Sequence, residues 1–429
     1  MRIVTLDFVT LRPIVHDIAW LSWRSCMAAA STIAETMPRS GIREIRDLAA
    51  RDSSAICLEL GEPNFPTAPH VVDAAHAAAR AGFTHYTSNA GIPELRSLLA
   101  EKLRLVNGIS VDDSQIVVSQ GAAQGLFAIF RALLEPGDEV LLPDPGWPNY
   151  AMIAHLQNLR QLHYPLTARN SYQPSLIDLE RLVTPRTKVL VINSPSNPIG
   201  SVIGREQLFE VVEFATKHDL WIISDECYDQ ISFTDEFVST GAVSAPDRVI
   251  GVYSFSKTYA MTGWRVGYVA VPETLAGVMA KMQEPMLSCI SSVSQKAAIA
   301  ALSGSQEYVH QMVSAYESRR NDVCDIFARE SINFFRPDGA FYVWVDISTS
   351  GQASREFALE LLRDKHVAVA PGSAFGALGD DFVRISLATE PSALHEGCER
   401  IASHLTELHD LASEGKDLPR IDALGAERP

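Results

Sequence analysis

The stretch Ser254-Phe-Ser-Lys257-Thr-Tyr-Ala-Met-Thr-Gly-Trp-Arg265-Val-Gly-Tyr268 sets one lysine between small hydroxyl residues, with an arginine eight positions further on. Most lysines are solvated surface charges, but this company suits a different task. An amine attacks an aldehyde only after losing its proton, so a Schiff-base lysine needs a pKa lowered by burial or by a neighbouring cation. A phosphate, in turn, needs a cation and hydroxyl donors close by. Lys257, Ser254 and Arg265 are therefore candidates for a single site, and the other parts of such a site should follow in order along the chain.

Short apolar runs alternate with helical patterns on both sides of this stretch. Residues 115–119, 139–142, 188–192, 220–224, 248–253 and 267–271 read as buried strands, and 124–134 and 205–218 as amphipathic helices between them. Buried strands alternating with helices predict an α/β fold with a mainly parallel sheet. Pro136-Gly137 and the segment 143–148 punctuate strand ends. Downstream, a long helical stretch over 275–302 continues through 307–330. A strand at 340–345, a helix at 354–365 and strands at 367–369 and 382–386 then form a smaller α+β unit.

Several pieces on this scaffold carry chemistry. Gly121-Ala122-Ala123-Gln124 follows a strand and opens a helix, where small residues let backbone N–H groups face an anion. Read alone it is an ordinary strand–helix turn. Asn193-Ser-Pro-Ser-Asn197-Pro198 and Asp225-Glu-Cys-Tyr228 each follow a strand. Asn-Pro is a commonplace turn, and an aspartate after a strand is commonly a helix N-cap. Trp147, in Asp-Pro-Gly-Trp-Pro-Asn-Tyr150, offers a large flat face; packing in a core is the plainer reading. Arg384 lies in Phe382-Val-Arg-Ile-Ser386, an apolar strand, where a guanidinium is costly unless it meets an anion. Its fork matches a carboxylate, and a structural ion pair is the competing explanation.

Composition bounds the rest. The chain has 429 residues, is 47% hydrophobic and 21% charged, and has a formal net charge of −16. That is an ordinary globular composition, with two or three domains as a length prior. Its acidity argues against nucleic acid or an anionic membrane surface as a partner. The six cysteines are scattered without a C-x-x-C pair, which fits reduced thiols in the cytoplasm, and the twelve histidines form no metal-binding cluster, so no metal is expected. No run of 18 or more apolar residues suggests a membrane span. The segment 1–38 reads as an arm or an over-extended start, with Met27 or Met37 as alternative first residues, and 413–429 as a polar tail.

Taken together, these motifs resemble the class I/II aminotransferases, fold-type I enzymes dependent on pyridoxal phosphate and similar to aspartate aminotransferase. The resemblance runs from about Ser40 to Leu405. It implies a large cofactor-binding domain at 76–302 with a seven-stranded sheet, and a small domain from 39–75 and 303–412. It implies that Lys257 binds the cofactor as an internal aldimine. Gly121, Ala122, Ala123, Ser254 and Arg265 would hold the phosphate, and Trp147 would stack on the ring. Asp225 would hold the ring nitrogen protonated, while Asn197 and Tyr228 would reach the 3′-oxygen. Arg384 and Asn197 would bind the substrate α-carboxylate. Leu60-Gly61-Glu-Pro-Asn-Phe65 resembles a segment in which Gly61 lets the backbone approach that carboxylate. His85-Tyr86-Thr-Ser-Asn-Ala-Gly91-Ile-Pro-Glu-Leu-Arg96 resembles one whose tyrosine, Tyr86, reaches the phosphate in the neighbouring subunit of a homodimer with shared sites.

The implied reaction is a ping-pong exchange of an amino group between an L-amino acid and a 2-oxo acid. The same parts serve α,β-elimination, so a C–S lyase is the enzymatic alternative. A regulatory protein using the fold as an effector sensor is a remote one, because only some 35 residues precede the family-like region. Ile42 is placed to cover the substrate side chain and favours an apolar or mixed preference; glutamate with 2-oxoglutarate is the default pair.

Overall fold

The computed structural model describes residues 30–243 and 247–413. The described residues fall into two units, divided between Met37 and Pro38. Of the first, the structure describes a one-turn helix, Thr32–Glu35, whose N-cap Ser31 hydroxyl accepts from the Ala34 N–H. The expectations for residues 1–29 of the arm and 414–429 of the tail lie outside the described residues.

The second unit opens with the helix Gly41–Ala49, N-capped by Ser40, and a short strand β1 (Ile56–Cys57). Seven strands then build the main sheet: β2 (Ile116–Ser119), β3 (Glu139–Asp144), β4 (Arg160–Pro165), β5 (Thr187–Asn193), β6 (Trp221–Asp225), β7 (Val249–Ser254) and β8 (Gly267–Ala270). Their spatial order is β2-β8-β7-β6-β5-β3-β4. β4, β3, β5, β6 and β7 run parallel, and β8 is antiparallel to both neighbours. Val189, Val191, Ile223, Ile250 and Val252 pack on one face with the helix Gly121–Leu133. Leu141, Leu190, Ile192 and Ile222 pack on the other with the helix Arg205–Lys217. Helices on both faces explain why these strands read as continuous apolar runs rather than as alternating ones.

Beyond the sheet come β9 (Phe334–Phe335), β10 (Tyr342–Asp346), β11 (Val367–Ala368), β12 (Ala370–Pro371) and β13 (Phe382–Ser386). They form a four-stranded sheet in the order β12-β13-β10-β9, while β11 pairs in parallel with β1. Phe341, Val343, Val345, Val383 and Ile385 bury against the helices Glu307–Arg329, Ser354–Lys365 and Pro391–Ser413.

Besides the two-residue strands β1 and β9, which the sequence reading lacks, the structure departs from it in three places. β4 carries no strand in that reading because its residues, Arg160-Gln-Leu-His-Tyr-Pro, are largely half-buried or exposed, as suits an edge strand paired on one side. The helical stretch 275–302 is two helices, Glu273–Leu287 and Ser292–Ser303. The first ends at Ser288 (φ +63°), and the Ser291 hydroxyl caps the second. The strand expected at 367–369 is two short strands serving two different sheets.

The topology sets the site's position. Asn193, Asp225 and Ser254 are the last residues of the adjacent strands β5, β6 and β7, so their side chains emerge along one sheet edge. The carboxyl ends of parallel strands are where ligands bind in open α/β sheets.

Candidate active site

A cavity of about 340 Å³ opens at these strand ends. Ile42, Gly61, Ala122, Ala123, Trp147, Asn197, Asp225, Tyr228, Ser254, Lys257, Arg265 and Arg384 all line it. Of the residues singled out in the sequence, only Gly121 and Tyr86 do not. Gly121 sits at the cavity's edge against Arg265. Tyr86 is 87% exposed.

Lys257 lies in the short helix Phe255–Thr258, which Ser254 caps by accepting from the Ser256 N–H at 3.1 Å. The cap fixes the turn that aims the lysine into the cavity, where its Nζ donates to the carbonyl oxygen of Gly61. Burial, assisted by the charges of Arg384 and Arg265, lowers the Lys257 pKa from 10.5 to about 8. This is the depression that Schiff-base chemistry requires. One measurement follows. The rate at which added pyridoxal phosphate is taken up by cofactor-free protein should rise with pH through about 8, as the neutral amine forms. A rise only near the ordinary lysine value would mean that the amine is solvated.

The anion end is built by backbone. Gly121 (φ +72°) starts the helix Gly121–Leu133, and Arg265, itself left-handed (φ +55°), folds back over it. Arg265 Nη1 donates to the Thr262 carbonyl at 2.8 Å and Nη2 to that of Gln120 at 3.4 Å. A Cβ on Gly121 would come within 2.6 Å of Nη2. Only glycine admits both this backbone conformation and a guanidinium so close. The result is a helix N-terminus, a cation and the Ser254 hydroxyl around one end of the cavity, a setting for a phosphate.

At the other end Asp225 is 2% exposed. The Tyr150 hydroxyl donates to its Oδ2 at 2.6 Å and the Cys227 N–H to its Oδ1 at 3.2 Å, yet burial still raises its pKa. A buried carboxylate held by neutral donors is well suited to a cationic N–H partner. Asn193 ties the neighbouring loop in place. Its Nδ2 donates to the Asp225 carbonyl at 2.9 Å, and its Oδ1 accepts from the Asn197 N–H at 2.8 Å. Asn197 Oδ1 accepts from Arg384 Nη1 at 2.8 Å, and the Glu59 carbonyl accepts from Nη2 at 2.5 Å. Arg384 is 2% exposed, lies over the rings of Tyr342 and Phe375, and leaves its Nε without a partner. No carboxylate contacts the guanidinium directly, so the competing ion-pair explanation has no partner for it among the described residues.

These features fit pyridoxal phosphate: an activated amine, an anion cradle closed by Arg265 over Gly121, and a buried carboxylate lacking a cation. They also bring in residues that the sequence reading missed. Tyr150 supports Asp225, and it lies three positions after Trp147, a helical spacing that places the two near each other. Tyr342, from β10, meets the Tyr228 hydroxyl at 2.8 Å and occupies the space a Gly61 side chain would need. Its only sequence signal is an aromatic in an apolar strand. A second cavity of about 210 Å³ shares Trp147 and Tyr150 with the first and includes Arg39 and His163.

Comparison with known proteins places this geometry. The family description "Aminotransferase class I and II" matches residues 54–401. The chain is 39% identical to an aspartate aminotransferase of Pyrococcus abyssi, over 86% of this chain and 96% of that protein. It is 37% identical to aromatic-amino-acid aminotransferase 2 of Thermococcus litoralis, over 88% and 99% respectively. The aspartate aminotransferase of Thermus thermophilus, solved with maleate, superposes with a TM-score of 0.84 at 34% identity, covering 88% of this chain and all of that one. The lysine turn, the anion cradle and the strand-end carboxylate thus sit in a chain that belongs to the class I and II aminotransferases, enzymes dependent on pyridoxal phosphate.

Proposed function

We propose that this aminotransferase prefers amino donors with apolar or mixed side chains, and that the residues of the cavity act as follows. Pyridoxal phosphate supplies a reactive carbonyl carbon and an electron-accepting ring when bound. Gly121, Ala122 and Ala123 hold the phosphate through backbone N–H groups, with Ser254 and Arg265. Trp147 covers the ring, Asp225 holds a proton on its nitrogen, and Asn197 and Tyr228 serve its 3′-oxygen. Arg384 and Asn197 take the substrate α-carboxylate and so fix which bond at Cα stands ready to break. Gly61 lets the backbone come close, and Ile42 covers the side chain. Lys257 is both the attachment point and, once released, the base that takes the Cα proton.

The observation that supports the substrate reading is the charge of the cavity. Its lining holds three cations, Lys257, Arg265 and Arg384. Each has a task near the cofactor or the α-carboxylate, which leaves none for a distal carboxylate. Ile42, Leu60 and Trp147 supply apolar surface instead. Dicarboxylic partners, 2-oxoglutarate among them, would need a cation from the adjoining cavity, where Arg39 lies, or from a second subunit. Tyr86, so largely exposed, suits contact with a neighbour's cofactor phosphate in a homodimer. The cytoplasm, amino acid metabolism and a division into large (76–302) and small (39–75, 303–412) domains complete the proposal. The C–S lyase and effector-sensor alternatives are not favoured, since the Pyrococcus abyssi and Thermococcus litoralis relatives are named aminotransferases.

Donor specificity tests this reading. With one fixed acceptor, leucine, methionine or phenylalanine should exceed aspartate in kcat/KM by about tenfold, the scale of one or two methylene-sized apolar contacts. Aspartate as the best donor would overturn the preference while leaving the enzyme class untouched.

A further inference from the structure

The turn after β6 presents Asp225 and Tyr228 to the cavity, while Glu226 and Asp229 line no part of it. Glu226 is 1% exposed and Asp229 8%. Glu226 Oε1 accepts from the Ser224 hydroxyl at 2.8 Å and from the Thr240 N–H at 3.0 Å. Asp229 Oδ2 accepts from Lys102 and from Asn107 Nδ2 at 3.1 Å. Asn107 also donates to the Ser239 hydroxyl at 2.7 Å and accepts from Lys102 at 2.8 Å. The Lys102 ammonium lies 5.2 Å from the ring centroid of Tyr253, which stacks on Tyr268.

Two carboxyl groups therefore share this buried cluster with one cation. Three buried atoms in it have no hydrogen-bond partner, Glu226 Oε2 and the hydroxyls of Tyr253 and Tyr268. Such orphans are costly, and a second negative charge beside Asp229 is costly as well. Glu226 meets only neutral donors, while Lys102 is taken by Asp229 and Asn107, so a single proton on Glu226 removes the charge that no cation offsets.

We propose that Glu226 is held protonated and, with the charge-balanced Lys102–Asp229 pair, forms an anchor that positions Asp225 and Tyr228 without adding negative charge next to Asp225. Glu226, Asp229 and Lys102 are thus positioning residues, and their importance for the reaction rests on the cofactor roles proposed above for Asp225 and Tyr228. The titratable groups facing Glu226 are Asp229, Tyr253 and Tyr268, with Lys102 behind Asp229 and Asp225 preceding it on the cavity side. Burial raises the Glu226 carboxyl from 4.5 to about 7. A carboxyl raised on folding contributes stability that is complete below its unfolded value and is lost as pH rises through its folded value.

The test compares holoenzyme forms of the wild type, Glu226→Gln and Glu226→Ala in denaturant unfolding across this range. Glutamine keeps the neutral shape and cannot ionise. Relative to Glu226→Gln, the wild-type folding equilibrium should fall by about 300-fold in all, from well below the lower of these two values to well above the upper. Glu226→Gln should also leave the pH titration of the bound cofactor's absorption in place, whereas Glu226→Ala shifts it. Parallel stability curves for wild type and Glu226→Gln would overturn the protonation. Identical cofactor titrations for Glu226→Gln and Glu226→Ala would overturn the positioning role. Should Glu226→Gln fail to fold, Lys102→Met serves in its place: it should change the pH dependence of stability by removing the cation paired with Asp229, and an unchanged dependence counts against the anchor. The unfolding curves do not depend on turnover, so failure of the anchor and failure of the proposed reaction are distinguishable.

Discussion

Lys257→Ala abolishes transamination and the near-violet absorption of covalently held cofactor, with activity down by about 10⁴-fold or more, the upper range for loss of one acid–base group. The two roles assigned to this side chain, attachment and proton transfer from Cα, are lost together. The fold should survive, because the amine forms no salt bridge among the described residues and its one hydrogen bond is to the Gly61 carbonyl. Circular dichroism and the urea midpoint should therefore match the wild type within about 1 kcal/mol, the typical net value of one hydrogen bond. Added primary amines should restore part of the proton transfer but not the attachment. Retained turnover in the alanine variant would remove Lys257 from the chemistry.

Arg384→Ala should weaken substrate use by about 2–5 kcal/mol, or roughly 30- to 5,000-fold in kcat/KM, the cost of leaving a buried carboxylate without its charged partner. The loss should appear mainly in KM and should be common to all amino donors, because every donor carries the same α-carboxylate. Arg384→Lys should recover little. A lysine is a point charge and cannot donate at once to Asn197 Oδ1 and the Glu59 carbonyl while facing the substrate. Steady-state kinetics over a donor panel checks this. A KM unchanged for every donor would place the carboxylate elsewhere.

Much of the site is legible in the sequence because its key residues follow strand ends. Asn193, Asp225 and Ser254 close β5, β6 and β7, so three separate motifs converge through a topology that the alternation of strands and helices already implies. Lys257, Asn197 and Tyr228 then lie within four residues of those ends. What escaped the sequence are partnerships across distance. Tyr150 and Asp225 are 75 residues apart, and Tyr228 and Tyr342 are 114 apart. Neither tyrosine sits in a motif that names its partner, and a tyrosine in an apolar segment reads as core. β4 was hidden for a different reason: an edge strand has one paired side and need not be apolar throughout. The break between Leu287 and Ser292 was masked by apolar residues on both sides of it, although Pro285 and the serines at 288, 291 and 292 mark the spot.

The support around Asp225 is more extensive than its short motif suggests. On the cavity side it has Tyr150 and the Cys227 N–H. On the other side, the backbone that carries it is fixed by Asn193 and by the Glu226 N–H, which donates to the Val252 carbonyl at 2.9 Å. A group whose charge must stay in place against a cofactor ring needs this kind of support, since small displacements in a low-dielectric site carry large electrostatic costs.

The central claim is an amino-group exchange carried by Lys257 in this cavity, and a half-reaction tests it most directly. Purified holoenzyme is mixed with a single amino donor and no acceptor, while the absorption spectrum and the released products are followed. The account predicts that the near-violet band converts to that of the aminated cofactor, with one equivalent of the matching 2-oxo acid released per site and no ammonia. Continuous release of ammonia with the band unchanged, or a cofactor band that no amino acid alters, would contradict it.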